Sequence, residues 1–153
     1  MEQELAKTAK SKNVTVSLAE SCTGGLVSDL ITNVPGSSGY FLGSVVCYSD
    51  RSKIELLGVK EATISIQGAV SEQTALEMAA GVRNRFHSNI GASVTGIAGP
   101  GGERPGKPVG LVYFGIDDGD NIWTERMLFQ GDRETVKRSA ADYLLGLVIK
   151  ALS

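Results

Sequence analysis

The chain has 153 residues, 42% of them hydrophobic and 21% charged, with 19 glycines. That is enough for one domain with a real core and too little for two of typical size, and the balance is that of a turn-rich globular protein rather than a disordered one. A formal net charge of -2 lacks the basic excess of a nucleic-acid binder, so no nucleic-acid partner is expected.

The N-terminus, Met1-Glu-Gln-Glu-Leu-Ala-Lys, has no apolar leader region, and no uninterrupted apolar run approaches the roughly 18 residues of a membrane span. A cytoplasmic protein without membrane association is expected. Two cysteines, Cys22 and Cys47, are too few for a disulfide framework and read as free thiols.

Residues 2 to 12 carry a narrow apolar stripe of Leu5, Ala6 and Ala9 at helical spacing. The stretch from Asn13 to Gly25 then reads as a strand, with Val14, Val16 and Leu18 alternating, that turns sharply into a helix carrying Leu26, Val27, Leu30 and Ile31. Ser21 sits in that bend. A hydroxyl there lies close to the unpaired N–H groups of a helix N-terminus, which favour developing negative charge, so it suits a nucleophile. Ser21 and Thr23 are equally good N-cap residues. The elbow of the α/β-hydrolases is not matched, because Ala19 and Thr23 stand where it needs glycine.

The helix is expected to end near Asn33, before the loop Pro35-Gly-Ser-Ser-Gly39, and residues 41 to 48 form a second strand. Asp50 is expected to cap a short helix stopped by Gly58, and residues 64 to 70 read as a connection. Ser71 caps a longer helix with Ala75, Met78, Ala79, Val82 and Phe86 on one face; residues 90 to 95 are a third strand. Between Gly96 and Pro108 the chain is too dense in glycine and proline for a regular element. Residues 109 to 116 and 122 to 129 flank Asp117-Asp-Gly-Asp-Asn121 as a hairpin, and Asp132 caps a last helix. Helices alternating with strands imply an α/β chain with a mixed sheet covered on both faces.

One histidine and two scattered cysteines give no structural zinc set, while the carboxylates leave a Mg²⁺ site open; the expectation for the chain is no metal and no cofactor. His87, at the end of the helix begun at Ser71, reads as a helix C-terminal residue. Gly101-Gly-Glu-Arg-Pro-Gly-Lys107 has the spacing of a Walker A loop, but Pro108 replaces the Ser or Thr that holds magnesium, and the loop leads into a strand. No G-x-G-x-x-G is present in it.

Serine chemistry without histidine needs another base, and a lysine or tyrosine can serve. No S-x-x-K occurs. What remains is Tyr48 at the end of the second strand and Lys53 in the first turn of the next helix. The helix dipole disfavours a lysine there and lowers its pKa, which leaves Lys53 as either a functional choice or an accident of sequence.

These residues belong to a wider pattern. Ala19-Glu-Ser-Cys-Thr-Gly-Gly25, Gly43-Ser-Val-Val-Cys-Tyr-Ser49 with Lys53, Gly68-Ala-Val-Ser71, Thr95-Gly-Ile-Ala-Gly-Pro100, Lys107-Pro-Val-Gly110 and Gly131-Asp-Arg133 together resemble the CinA C-terminal domain family, in order, from about residue 5 to the C-terminus. The resemblance implies a three-layer α/β/α sandwich with a mixed, mostly parallel sheet. It also implies hydrolysis of the carboxamide of nicotinamide mononucleotide to nicotinic acid mononucleotide and ammonia, in pyridine nucleotide recycling. Ser21 matches the family's nucleophile, Tyr48 and Lys53 its catalytic partners, and Thr95 and Arg133 further active-site positions. The metal-dependent pyrophosphatase domain of longer relatives is not expected here.

Beside the resemblance, the residues suggest roles. The N–H groups of Cys22 and Thr23 can form an oxyanion hole, and Arg133 can meet a phosphate at a helix N-terminus or pair with Asp132 or Glu134. Gly96 and Gly99 can supply backbone donors to the substrate or simply form a surface turn. A serine amidase of another small amide, or a silent nucleotide-binding module, would carry much of the same pattern. A homo-oligomer is expected of so small an α/β enzyme.

Overall fold

A computed structural model describes residues 1–153. Six helices and five strands follow in the order α1 (Glu2–Lys12), β1 (Val16–Glu20), α2 (Leu26–Thr32), β2 (Phe41–Val46), α3 (Asp50–Leu57), α4 (Glu61–Gln67), α5 (Glu72–Phe86), β3 (Ile90–Gly96), β4 (Leu111–Asp117), β5 (Ile122–Leu128) and α6 (Arg133–Leu152). The strands form one sheet in the order β2-β1-β3-β4-β5. β1 pairs in parallel with both β2 and β3, whereas β3–β4 and β4–β5 are antiparallel, so β4 alone runs against the other four.

The sequence pattern accounts for most of this. Ser71 and Asp132 cap α5 and α6 as their positions suggest, accepting from the N–H groups of Thr74 and Thr135. Three details differ. Ser49, not Asp50, caps α3, accepting from the Ser52 N–H. Residues 61 to 67 form a helix, α4, where a connection was expected. The hairpin is not the only antiparallel pair, because the glycine-rich loop reverses the chain between β3 and β4.

The sheet's two faces pack differently. Val16 and Leu18 of β1, Ala92 and Val94 of β3 and Phe114 and Ile116 of β4 point into a core of 25 buried residues shared with α1, α2 and α6. Period-two alternation sends Ser17 and Ala19, Gly91, Ser93 and Thr95, and Gly115 to the opposite face, under α5. There α5 lies so close that a Cβ on Gly115 would meet the Ala75 carbonyl and stand 2.7 Å from Ser93 Oγ. Hydroxyls take the place of apolar bulk: Ser93 donates to Ala75 O at 2.6 Å and Ser17 to Val82 O at 3.3 Å. No helix is long and apolar enough to cross a membrane.

The carboxyl ends of β1, β2, β3 and β5 meet at one edge of the sheet, beside the start of β4 and the N-terminus of α6. In open α/β sheets this edge is where ligands bind.

Candidate active site

β1 ends in Glu20, and the chain turns at once through Ser21 to Gly25 into α2. The turn needs left-handed backbone at Gly24 and Gly25, with φ of 61° and 104°, which glycine adopts without a Cβ penalty. Neither Ser21 nor Thr23 caps the helix. The fully buried Glu20 does, its carboxyl group accepting from the N–H groups of Val27 (2.9 Å) and Ser28 (3.0 Å) and from the hydroxyls of Thr23 (2.7 Å) and Ser28 (2.6 Å). The side chain of Thr23 is thereby committed to the turn and does not face the cavity.

With capping assigned to Glu20, Ser21 is left for other work. It is tied to β3 by its N–H, which donates to Val94 O at 3.0 Å, and its hydroxyl faces Lys53. The N–H groups of Cys22 and Thr23 take no acceptor within the chain.

Lys53 is 1% exposed. Its Nζ lies 3.0 Å from Ser21 Oγ, 2.8 Å from Cys47 O and 3.2 Å from Tyr48 O, the two carbonyls being those that leave the end of β2. No carboxylate pairs with it. Burial lowers the Lys53 pKa from its ordinary value of 10.5, because removing the ammonium from water disfavours the charged form. Desolvation, rather than the helix dipole expected from its position in α3, is the leading cause. A neutral amine can donate to Cys47 O and Tyr48 O while its lone pair faces the Ser21 hydroxyl, which is the arrangement a base requires.

The Tyr48 phenol makes no hydrogen bond to this pair. Its side chain is exposed, and its phenol oxygen accepts from Arg133 Nη2 at 3.1 Å. Arg133, the first residue of α6, also donates from Nη1 to Gly99 O at 2.7 Å, so one guanidinium ties the glycine-rich loop to the end of β2. Thr95 is buried on β3, and its hydroxyl holds Ala69 O at 2.8 Å. Cys22 and Cys47 are buried free thiols, pushed up to about 12 and about 11 by burial, so Cys22 is no competing nucleophile at neutral pH.

Two connected cavities open at this edge. The inner one, of about 210 Å³, is bounded by Ser21, Cys22, Lys53 and Thr95. The outer one, of about 510 Å³, is bounded by Asp50, Ile64, Arg104, Lys107 and the glycines at 99, 101 and 102. Tyr48, Ala69, Gly96 and Arg133 line both and mark the neck. Ser21, Cys22, Tyr48, Lys53, Thr95, Gly96, Gly99 and Arg133 therefore all line one or both of these cavities, whereas Thr23 lines neither. Sequence reasoning missed Glu20, Arg104 and Lys107. A carboxylate closing an apolar strand was the available signal for Glu20. No group of three or more His, Cys, Asp or Glu side chains is placed to hold a metal ion.

The arrangement has relatives. It is similar to a CinA-like protein of Desulforapulum autotrophicum (47% identity, 99% of this chain and 36% of that protein) and to another of Kosmotoga olearia (43% identity, 99% and 37%). The chain spans about a third of the length of the curated relatives it matches. Among solved structures it resembles the competence damage-inducible protein A of Klebsiella pneumoniae (32% identity, TM-score 0.94, 97% of this chain and 92% of that one). It also resembles a competence/damage inducible protein of Agrobacterium tumefaciens (35% identity, TM-score 0.94, 99% and 95%). The family model for the CinA C-terminal domain matches residues 1–152, and the chain belongs to that family.

Proposed function

We propose that the chain is a serine amidohydrolase that converts nicotinamide mononucleotide and water to nicotinic acid mononucleotide and ammonia. The observation that carries this reading is the pair at the floor of the inner cavity, a buried lysine in no ion pair, whose Nζ lies 3.0 Å from the Ser21 hydroxyl.

Lys53 acts as the immediate base, since the Tyr48 phenol is turned to Arg133 and Lys53 is the only side chain bonded to Ser21 Oγ. As Ser21 attacks the carboxamide carbon, its proton passes to Lys53 Nζ. The carbonyl oxygen takes up negative charge, which the free N–H groups of Cys22 and Thr23 are placed to stabilise. The tetrahedral adduct collapses with proton transfer from Lys53 to the departing nitrogen, so ammonia leaves and the amine is neutral again. Water, deprotonated by Lys53, then releases the acid and restores the serine. Arg133 keeps free N–H donors beyond its bonds to Gly99 and Tyr48, and offers them at the neck to the phosphate. Thr95 acts indirectly, by holding the Ala69 wall of the cavity.

The test is ammonia release from nicotinamide mononucleotide by the parent chain and by Ser21→Ala, with a chelator present. Loss of turnover in the variant is expected. Equal rates would remove Ser21 as nucleophile, and binding without ammonia release by the parent would point to a silent nucleotide-binding module.

A further inference from the structure

The outer cavity carries more positive charge than the one cation, Arg133, that the amidase reading uses. Its charged lining residues are Arg104, Lys107 and Arg133 against Asp50 alone, three cations to one anion in a chain whose overall charge is -2. Two of those cations come from the tip of the glycine-rich loop. Arg104 and Lys107 exchange backbone hydrogen bonds, Arg104 N–H to Lys107 O at 2.9 Å and Lys107 N–H to Arg104 O at 2.8 Å, across the tight turn Pro105-Gly106. Residues paired in this way carry their side chains on the same side of the ribbon. The loop is also pinned, because Lys107 Nζ donates to Gln67 O at the end of α4. The guanidinium of Arg104, by contrast, forms no hydrogen bond or ion pair within the chain.

Resting on the amidase reading, we propose that Arg104 and Lys107 form an anion subsite that takes the substrate's phosphate from the outer side while Arg133 meets it at the neck. The subsite makes the enzyme choose a phosphorylated nucleotide over the matching uncharged nucleoside. A free, planar guanidinium beside an anchored ammonium matches the several acceptor oxygens of a phosphate monoester. The distance from the Ser21–Lys53 chamber is then set by the ligand, with the carboxamide in the inner cavity and the ribose phosphate in the outer.

The experiment compares ammonia release from nicotinamide mononucleotide and from nicotinamide riboside, the same molecule without its phosphate, in the parent chain and in Arg104→Gln. The expected result is a KM for the mononucleotide raised about 5- to 10-fold at low salt, with kcat within about twofold and the riboside unaffected. The difference shrinks as ionic strength rises, and Arg104→Lys recovers most of it. An active parent with the same KM in both chains overturns the subsite and leaves the amidase standing. If the parent hydrolyses neither compound, the amidase reading has failed instead. Calorimetric titration with ribose 5-phosphate then decides the subsite: weaker binding by Arg104→Gln supports it, and equal binding overturns it.

Discussion

The two faces of the sheet perform different work with the same five strands. Towards α1, α2 and α6, the strands present Val16, Leu18, Val94, Phe114 and Ile116 to a core of 25 buried residues, where burial of apolar area supplies stability and no single atom has a fixed partner. Towards α5 they present serine, threonine and glycine, whose hydroxyls bond to named carbonyls: Ser17 to Val82, Ser93 to Ala75, Thr95 to Ala69. That face gives up hydrophobic area and gains fixed distances. The same alternation, continued one residue past β1, brings Ser21 out on the precise face beside Thr95. This second face buries a smaller apolar cluster of six residues, among them Ala19 of β1 with Met78 and Val82 of α5, and adds fixed positions to it.

Substitutions that break each face separately sharpen the contrast. The largest effect is expected for Lys53→Met, which keeps bulk near the wall of the inner cavity but removes the base. Ammonia release should fall on the order of 10³-fold or more, measured against a melting curve that shows the chain still folded. On the apolar face, Phe114 packs edge-on against Phe129 and tilted against Tyr143 with no exposure. Phe114→Ala should lower stability by about 3–5 kcal/mol in a denaturant titration, with kcat per folded molecule little changed. Gly115→Ala forces a methyl against the Ala75 carbonyl and Ser93 Oγ; a loss of about 1–3 kcal/mol is expected, with a lowered kcat because α5 and the Ala69 wall move together. The smallest change, Ser93→Ala, removes one buried hydroxyl bond to Ala75 O. It should cost about 1 kcal/mol and leave KM as it was.

Much of the fold can be read along the chain because its signals are local. The apolar stripes of α5 and α6, the caps at Ser71 and Asp132 and the turn at Asp117–Asn121 depend on neighbours a few residues away. α4 was hidden because Glu61-Ala-Thr-Ile-Ser-Ile-Gln67 mixes two isoleucines and a threonine into one short helix, a composition that favours neither helix nor strand. The antiparallel pairing of β4 with β3 depends on where a loop without periodicity delivers the chain, and no local pattern encodes that.

The site divides in the same way. Ser21, Tyr48, Lys53, Thr95 and Arg133 stand at strand ends and a helix start, which sequence can locate. What they touch is tertiary. Thr23 turns to Glu20 because the carboxyl group is buried between β1 and α2, and Tyr48 turns to Arg133 because the end of β2 faces α6. The lowered pKa of Lys53 was expected in direction, but its cause is desolvation between the ends of β1 and β2, which the helix position of the residue does not reveal.

The central claim is that an uncharged Lys53 takes the proton of Ser21, and the pH dependence of kcat/KM for nicotinamide mononucleotide tests it most directly. Only the neutral amine can act as base, so the rate should rise with pH through the lowered Lys53 pKa and level off below 10.5, the ordinary value for lysine. In Lys53→Met the residual rate should lose that ascending limb. A parent profile that is flat, or that falls as pH rises through this range, would contradict the account.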